Sequence, residues 1–350
     1  MSPTLTVQMR DAEADRARHG RKPWRNAFIV RRRLIAIGDL HGDVHRLVRI
    51  LQRHEVFLPG TRKWAKAANT VDVVLLGDYV DWRGEKLEGD RSTWDRGAAD
   101  LLDLIADLHN QVDALAATMR TASPRFFSLL GNHDKLMLDS FRYLSSQTEA
   151  RRKTLATAHT DVRALARELN EPVSIVSRVF GKKPAPAKDA ACLLTWMSNG
   201  GPTTVKAYGG FDAWYARMAG GVAALIEKKM PLGVVVNNRL YSHSVPDSPA
   251  CWKPVDAIAS LPRDARDAVI DEWVWGRRIY GVDHKTGKPV PKPSEGEVDQ
   301  MLARLGVKGV VVGHSLRQSL VPVKSYEGKV VNIDLHGHPL SDPWLEEYEA

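Results

Sequence analysis

Five times along this chain a short β-branched run breaks into a polar turn, and each turn carries Asp, Asn or His within a residue or two of the break. The runs are "RLIAIGDLHGD" (33–43), "VDVVLLGDYVD" (71–81), "RFFSLLGNHD" (125–134), "GVVVNNRLYSHS" (233–244) and "GVKGVVVGHS" (306–315), and "GKVVNIDLHG" (328–337) adds a sixth strand. Between them apolar residues return at helical spacing. Val44, Leu47, Val48 and Leu51 mark one amphipathic helix, and Leu101, Leu104, Ile105, Leu108, Val112 and Leu115 a second. Strands alternating with helices predict an α/β layered architecture, central sheets flanked by helices, with polar residues gathered at the carboxyl ends of strands.

Residues 135–230 interrupt this rhythm with mainly helical sequence, which predicts a helical insertion or cap. The stretches "GKKPAPAK" (181–188) and "HKTGKPVPKPSEGE" (284–297) read as loops from their Pro and Gly content. The predicted organisation is a basic N-terminal arm over 1–32 and one domain over 33–350. No apolar run approaches the roughly 20 residues that cross a bilayer, so no membrane span or membrane partner is expected. The arm is Arg-rich but lacks a secretory apolar segment, and Cys192 and Cys251 alone make a disulfide framework improbable; both fit a cytoplasmic setting. A net charge of +8 suits phosphate-bearing partners. The basic residues cluster in the arm without interleaved aromatics, a weak signal for nucleic acid.

The turns supply a mixed set of hard and borderline ligands: Asp39 and His41, Asp78, Asn132 beside His133, His243, and His314. Carboxylate, imidazole and amide oxygen together suit Mn²⁺, Fe or Zn²⁺ better than Ca²⁺, and the absence of thiolates argues against a structural zinc cage.

These stretches, "GDLHGD", "GDYVD", "GNHD", "YSHS" and "VVGHS", resemble the calcineurin-like metallophosphoesterases, and within them the phosphoprotein phosphatase branch. "WMSNGGPTTVKAYGG" (196–210), "VWGRR" (274–278) and "VVNIDL" (330–335) are softer matches, similar to bacterial serine/threonine phosphatases and diadenosine tetraphosphatases. The resemblance implies a layered sandwich holding two divalent ions, Mn²⁺ foremost with Fe or Zn²⁺ as alternatives. It places the first on Asp39 and His41, the second on Asn132, His243 and His314, and makes Asp78 the bridge between them. A bridging carboxylate should have few other contacts. Two cations sharing a water lower its pKa and neutralise phosphate oxygens, so hydroxide attacks phosphorus directly. His133 would then protonate the leaving oxygen, with Asp81 as its partner.

The resemblance also implies two arginines on the phosphate. The family pattern has Arg directly after the residue matched by Asp81, whereas this chain reads "GDYVDWRG", with Trp82 intervening, and has its Asp-Arg-Gly only later, at 95–97. Arg83 is the preferred clamp and Arg96 its rival, with Trp82 read as a one-residue bulge that re-aims Arg83. Arg277 of "VWGRR" is the other, with Arg278 as near rival. The expected activity is phosphomonoester hydrolysis, on phosphorylated proteins first. A dinucleoside polyphosphate or nucleotide hydrolase is the alternative substrate reading, and an inactive phosphatase-like binding protein the alternative from another class.

Overall fold

Strand β1 (Arg33–Ile37) alternates strictly: Leu34 and Ala36 face one side, Ile35 and Ile37 the other. That alternation decides the layering. The computed structural model, which describes residues 32–81, 96–119, 122–170, 185–335 and 344–348, builds two sheets around it. After β1 come α1 (Val44–Arg53), β2 (Val71–Leu75), α2 (Gly97–Thr118) and β3 (Arg125–Ser128). Helices α3 (Asn132–Ser145), α4 (Glu149–Ala158), α5 (Val162–Leu169), α6 (Ala185–Ser198), α7 (Gly201–Ala207), α8 (Phe211–Arg217) and α9 (Ala223–Lys229) follow. The chain then forms β4 (Gly233–Val236), β5 (Arg239–Ser242), α10 (Val255–Ala259), α11 (Arg263–Trp275) and α12 (Glu295–Leu305). Strands β6 (Gly309–Val312), β7 (Val323–Ser325), β8 (Val330–Asn332) and β9 (Trp344–Tyr348) close the order.

The first sheet runs β3-β2-β1-β9, parallel except for β9, and the second runs β4-β5-β6-β8-β7 with β5, β6 and β8 parallel. Their inner faces meet in one apolar layer: Leu34, Ala36, Val74 and Phe127 from the first sheet, Val234, Tyr241, Val311 and Val331 from the second. The outer face of the first sheet, with Ile35, Ile37, Val73 and Leu75, packs in the larger core with Leu47, Ile50 and Leu51 of α1 and Leu101, Ile105 and Leu108 of α2. Each large side chain so buried contributes about 1.5–3 kcal/mol. Strands β1 and β2 run parallel, as do β5 and β6, and the turns after all four meet at one end of the sandwich. Helix α3 packs against α6, extending the helical region beside that end. No helix among the described residues is long and apolar enough to cross a membrane.

Three expectations need correction. The run 233–244 is not one strand but the hairpin β4–β5, because Asn237 and Asn238 adopt left-handed backbone (φ 52° and 60°) as a tight turn demands. Residues 185–188 of the expected loop belong to α6, where Pro186 sits in the first turn and costs no hydrogen bond. The second expected loop ends early, since Ser294 and Glu297 form a capping box that starts α12 at Glu295. The N-terminal arm to residue 31, Trp82 and Arg83 lie outside the described residues.

Candidate metal centre

The turn after β1 carries Asp39 and His41, and the turn after β2 carries Asp78 and Asp81. Asn132 and His133 open α3 after β3, His243 follows β5, and His314 follows β6. Four of these residues hold left-handed backbone: His41 (φ 42°), Asp78 (φ 55°), Asp81 (φ 65°) and His314 (φ 62°). A side chain in that region is unfavourable, and such strain persists only where the surroundings over-determine it. Here the backbone of each turn is pinned by its neighbours. His41 N–H donates to the Asp78 carbonyl at 2.8 Å, and Gly42 N–H to the Tyr79 carbonyl at 3.0 Å. Gly131 lies so close to the Asp78 turn that a Cβ there would stand 2.2 Å from the Asp78 nitrogen.

Two groups of ligand atoms result, each within 4.8 Å of one another: Asp39, His41 and Asp78 in one, Asp78, His243 and His314 in the other. All are buried. His243 Nε2 stands 2.9 Å from Asn132 Oδ1, 3.1 Å from His314 Nδ1 and 3.5 Å from Asp78 Oδ1. His41 Nε2 stands 3.7 Å from the other Asp78 oxygen. The tautomers follow from the backbone. His243 donates Nδ1–H to the Leu76 carbonyl at 2.9 Å and His41 donates Nδ1–H to the Val80 carbonyl at 3.0 Å, so both Nε2 lone pairs turn inward. Two lone pairs aimed at carboxylate and amide oxygens fit a cation held between them. Asp78 Oδ2, buried and without a hydrogen-bond partner among the described residues, fits the same role. Burial alone would raise the Asp78 carboxyl, but the imidazoles of His243, His133, His41 and His314 outweigh it and hold the group far below the usual carboxylate range.

His133 Nδ1 meets Asp81 Oδ2 at 2.8 Å, with both side chains buried. Asp81 is in turn held by residues more than 110 positions away in sequence. The Trp196 indole N–H donates across both carboxylate oxygens at 3.0 and 2.9 Å, and Thr204 Oγ–H donates to Oδ1 at 2.6 Å while accepting Asp81 N–H at 2.9 Å. Burial raises the Asp81 carboxyl, and the bonds from His133, Thr204 and Trp196 work against that rise. Trp196 and Thr204 lie in the segment whose likeness the sequence offered without a role. Asp134, also without a predicted role, accepts backbone N–H from Asp78, Tyr79 and Gly131 at 2.8, 3.0 and 3.0 Å and so fixes the Asp78 turn. Burial first, then Asp78, raises its carboxyl well above the ordinary range.

Of the candidate arginines, Arg277 places Nε 2.9 Å from His314 Nε2, and Trp275 meets the same imidazole edge-on at 5.9 Å. Arg278 instead reaches Glu297 at 2.7 Å. Arg96 sits at the start of α2, its exposed guanidinium 3.3 Å from Asp100. Its neighbour Gly97 touches the Asp39–His41 turn, since a Cβ there would meet the Gly42 carbonyl at 2.5 Å.

A family model for the calcineurin-like phosphoesterases matches residues 32–318. Among solved structures, the chain is similar to a cold-active protein tyrosine phosphatase, with 15% identity, 90% of this chain and 73% of that chain covered, and a TM-score of 0.48. It is also similar to a protein serine/threonine phosphatase of Saccharomyces cerevisiae, with 13% identity, 88% and 70% covered and a TM-score of 0.39. A candidate diadenosine tetraphosphatase matches at 14% identity, with 86% and 82% covered and a TM-score of 0.31. No curated protein sequence matches the chain.

Proposed function

The chain belongs to the calcineurin-like phosphoesterases, metal-dependent phosphoester hydrolases, and we propose that it uses two metal ions to hydrolyse phosphomonoesters, phosphorylated proteins being the substrates it serves best. The observation that carries this is Asp78, whose two carboxylate oxygens each face a separate inward-turned imidazole. Asp39, His41 and Asp78 would hold one ion, and Asp78, Asn132, His243 and His314 the other. When bound, such a pair neutralises phosphate oxygens and activates water for attack on phosphorus. With no thiolate in the set, Mn²⁺ is the favoured metal and Fe or Zn²⁺ the alternatives.

The protein's own part follows from the hydrogen bonds. Asp81 fixes His133 through Nδ1, which leaves Nε2 on the far side of the ring to hold the proton that a departing alkoxide needs. Thr204 and Trp196 keep the Asp81 carboxylate oriented and compensated inside an apolar surround. Arg277 supplies a forked cation beside His314, placed to take phosphate oxygens, and Arg83 is proposed as the second arginine on the phosphate. An inactive scaffold is the poorer reading, because disuse gives no reason for these buried groups and strained turns to converge.

For a protein substrate the support is the loop after His314. It exposes Leu316, Leu320 and Val321, an apolar rim of the kind a polypeptide covers. The test is a panel in Mn²⁺ comparing phosphopeptides, dinucleoside tetraphosphates and mononucleotides by kcat/KM. Phosphopeptides are expected to lead. A tetraphosphate leading by tenfold or more refutes the protein-substrate reading.

A further inference from the structure

Two chain segments leave the contact between Arg277 and His314, and three residues along each they meet again. The Arg317 guanidinium lies 4.0 Å from the centroid of the Tyr280 ring. Three residues of chain span no more than about 11 Å, so this pair stands beside the candidate metal centre. It forms one wall of a cleft of about 360 Å³ also lined by Lys292, Ser325 and Tyr326.

We propose that this cleft binds an anionic side group of a polypeptide substrate, a carboxylate or a further phosphoryl group lying a few residues from the scissile phosphate. The inference rests on the protein-substrate reading above and adds the substrate's charge pattern to it. Among the described residues that line the cleft, the charged groups are Lys292 and Arg317, both cations. Arg317 Nε, itself buried, has no hydrogen-bond partner among the described residues. The guanidinium already covers Tyr280, so that wall presents charge and donors, not a bare ring on which a nucleobase would stack. Tyr326 closes another side, with its hydroxyl toward the Ile279 carbonyl at 3.4 Å. It does so from a strained backbone. Tyr326 and Glu327 are consecutive non-glycine residues at φ 51° and 54°, a conformation that costs each side chain energy and that glycine or asparagine would adopt more readily.

The loop that bears Arg317 favours a polypeptide as the carrier of the anion. Its root is pinned, Arg317 N–H donating to the Asp334 carbonyl at 2.8 Å and Asn332 Nδ2 to the Ser315 carbonyl at 2.9 Å. Its outer side chains are not buried: Leu316, Leu320 and Val321 are 51%, 58% and 64% exposed. A pinned loop with an apolar rim and a cationic cleft at its base matches a chain that places an apolar residue on the rim and an acidic one in the cleft.

The experiment uses the full chain in Mn²⁺ with three phosphopeptides identical except at one flanking position, which is Ala, Glu or a second phosphoserine, and with p-nitrophenyl phosphate as the small substrate. The expected result is a kcat/KM about tenfold higher for the Glu peptide than for the Ala peptide, shrinking as salt is raised. The second phosphoserine is expected to do at least as well; whichever anion ranks first identifies the source. Arg317→Gln should abolish the preference and leave the p-nitrophenyl phosphate rate within twofold. Lys292→Glu, at an exposed position, should weaken or invert it. Phosphopeptides turned over without a charge preference, or a preference untouched by both substitutions, overturn the cleft inference while the protein-substrate reading stands. Phosphopeptides not turned over, while p-nitrophenyl phosphate is, overturn both.

Discussion

Replacing Trp196 by Phe removes one N–H from Asp81 and keeps an aromatic ring in the core. The indole nitrogen bonds both carboxylate oxygens, at 3.0 and 2.9 Å, and Asp81 is fully buried. A hydrogen bond to a charged group contributes about 1.5–3 kcal/mol, and a pKa unit corresponds to about 1.4 kcal/mol. The substitution therefore raises the Asp81 carboxyl beyond the rise that burial already causes. The sign is fixed by the bond: it favours the ionised form, so its loss lets Asp81 take up a proton at higher pH as the medium is acidified. His133 loses its carboxylate partner at that same pH. The acid limb of kcat/KM should move upward by about 1–2 units, while the rate above the limb falls only a few-fold and metal content is unchanged. Trp214→Phe is the control. Trp214 packs against Trp196 at 4.8 Å, is equally buried, and its indole nitrogen bonds nothing among the described residues. It deletes the same volume without touching Asp81. A Trp196→Phe profile that overlays the parent, or shifts no further than that of Trp214→Phe, refutes the reasoning.

Other substitutions test the remaining parts. His133→Gln should lower kcat by about 10² or more on an alkyl phosphate and by less on p-nitrophenyl phosphate, whose leaving group needs no proton; equal losses on both would remove His133 from that role. Arg277→Ala should cost tenfold or more in kcat/KM while Arg278→Ala, which breaks the pair with Glu297, stays within threefold. Arg83→Ala should harm activity more than Arg96→Ala, and the reverse order would transfer the phosphate contact to Arg96. Stability should also report His109, which is buried against Ser128 Oγ at 2.8 Å and whose imidazole burial lowers from 6.5 to about 4. The unfolded chain then binds the proton first, so stability is full above pH 6.5 and lost as pH falls toward 4, by as much as about 3 kcal/mol. In His109→Gln that slope, measured by denaturant midpoint at pH 8 and pH 5, should flatten.

The fold's framework was legible because its signals are local. A β-branched run followed by Gly-Asp or Gly-Asn-His marks a strand end, and β1, β2, β3 and β6 begin or end within a few residues of where those runs do. The hairpin at Asn237–Asn238 was missed, because the apolar residues on either side read as one strand, although adjacent asparagines favour the left-handed backbone they adopt here. Strand β9 pairs antiparallel with β1 across most of the chain, and nothing in "WLEEY" announces that partner. The same limit governs the site. The residues that turn inward at strand ends were visible as motifs, while the hold of Trp196 and Thr204 on Asp81 spans 115 and 123 positions and exists only once α6 and α7 pack beside the sandwich. Asp134 stood within a quoted motif, yet its role appears only on asking which acceptor satisfies the backbone N–H groups of the strained Asp78 turn.

The central claim is that Asp78 joins two cation sites. The direct measurement is metal stoichiometry by elemental analysis of chain loaded with Mn²⁺ and freed of excess, for the parent, Asp78→Asn and His314→Ala, each checked for folding by circular dichroism. Two ions per chain in the parent, one in His314→Ala and fewer than one in Asp78→Asn is the predicted series. One ion per chain in the parent, or a folded Asp78→Asn variant that still holds two, contradicts it.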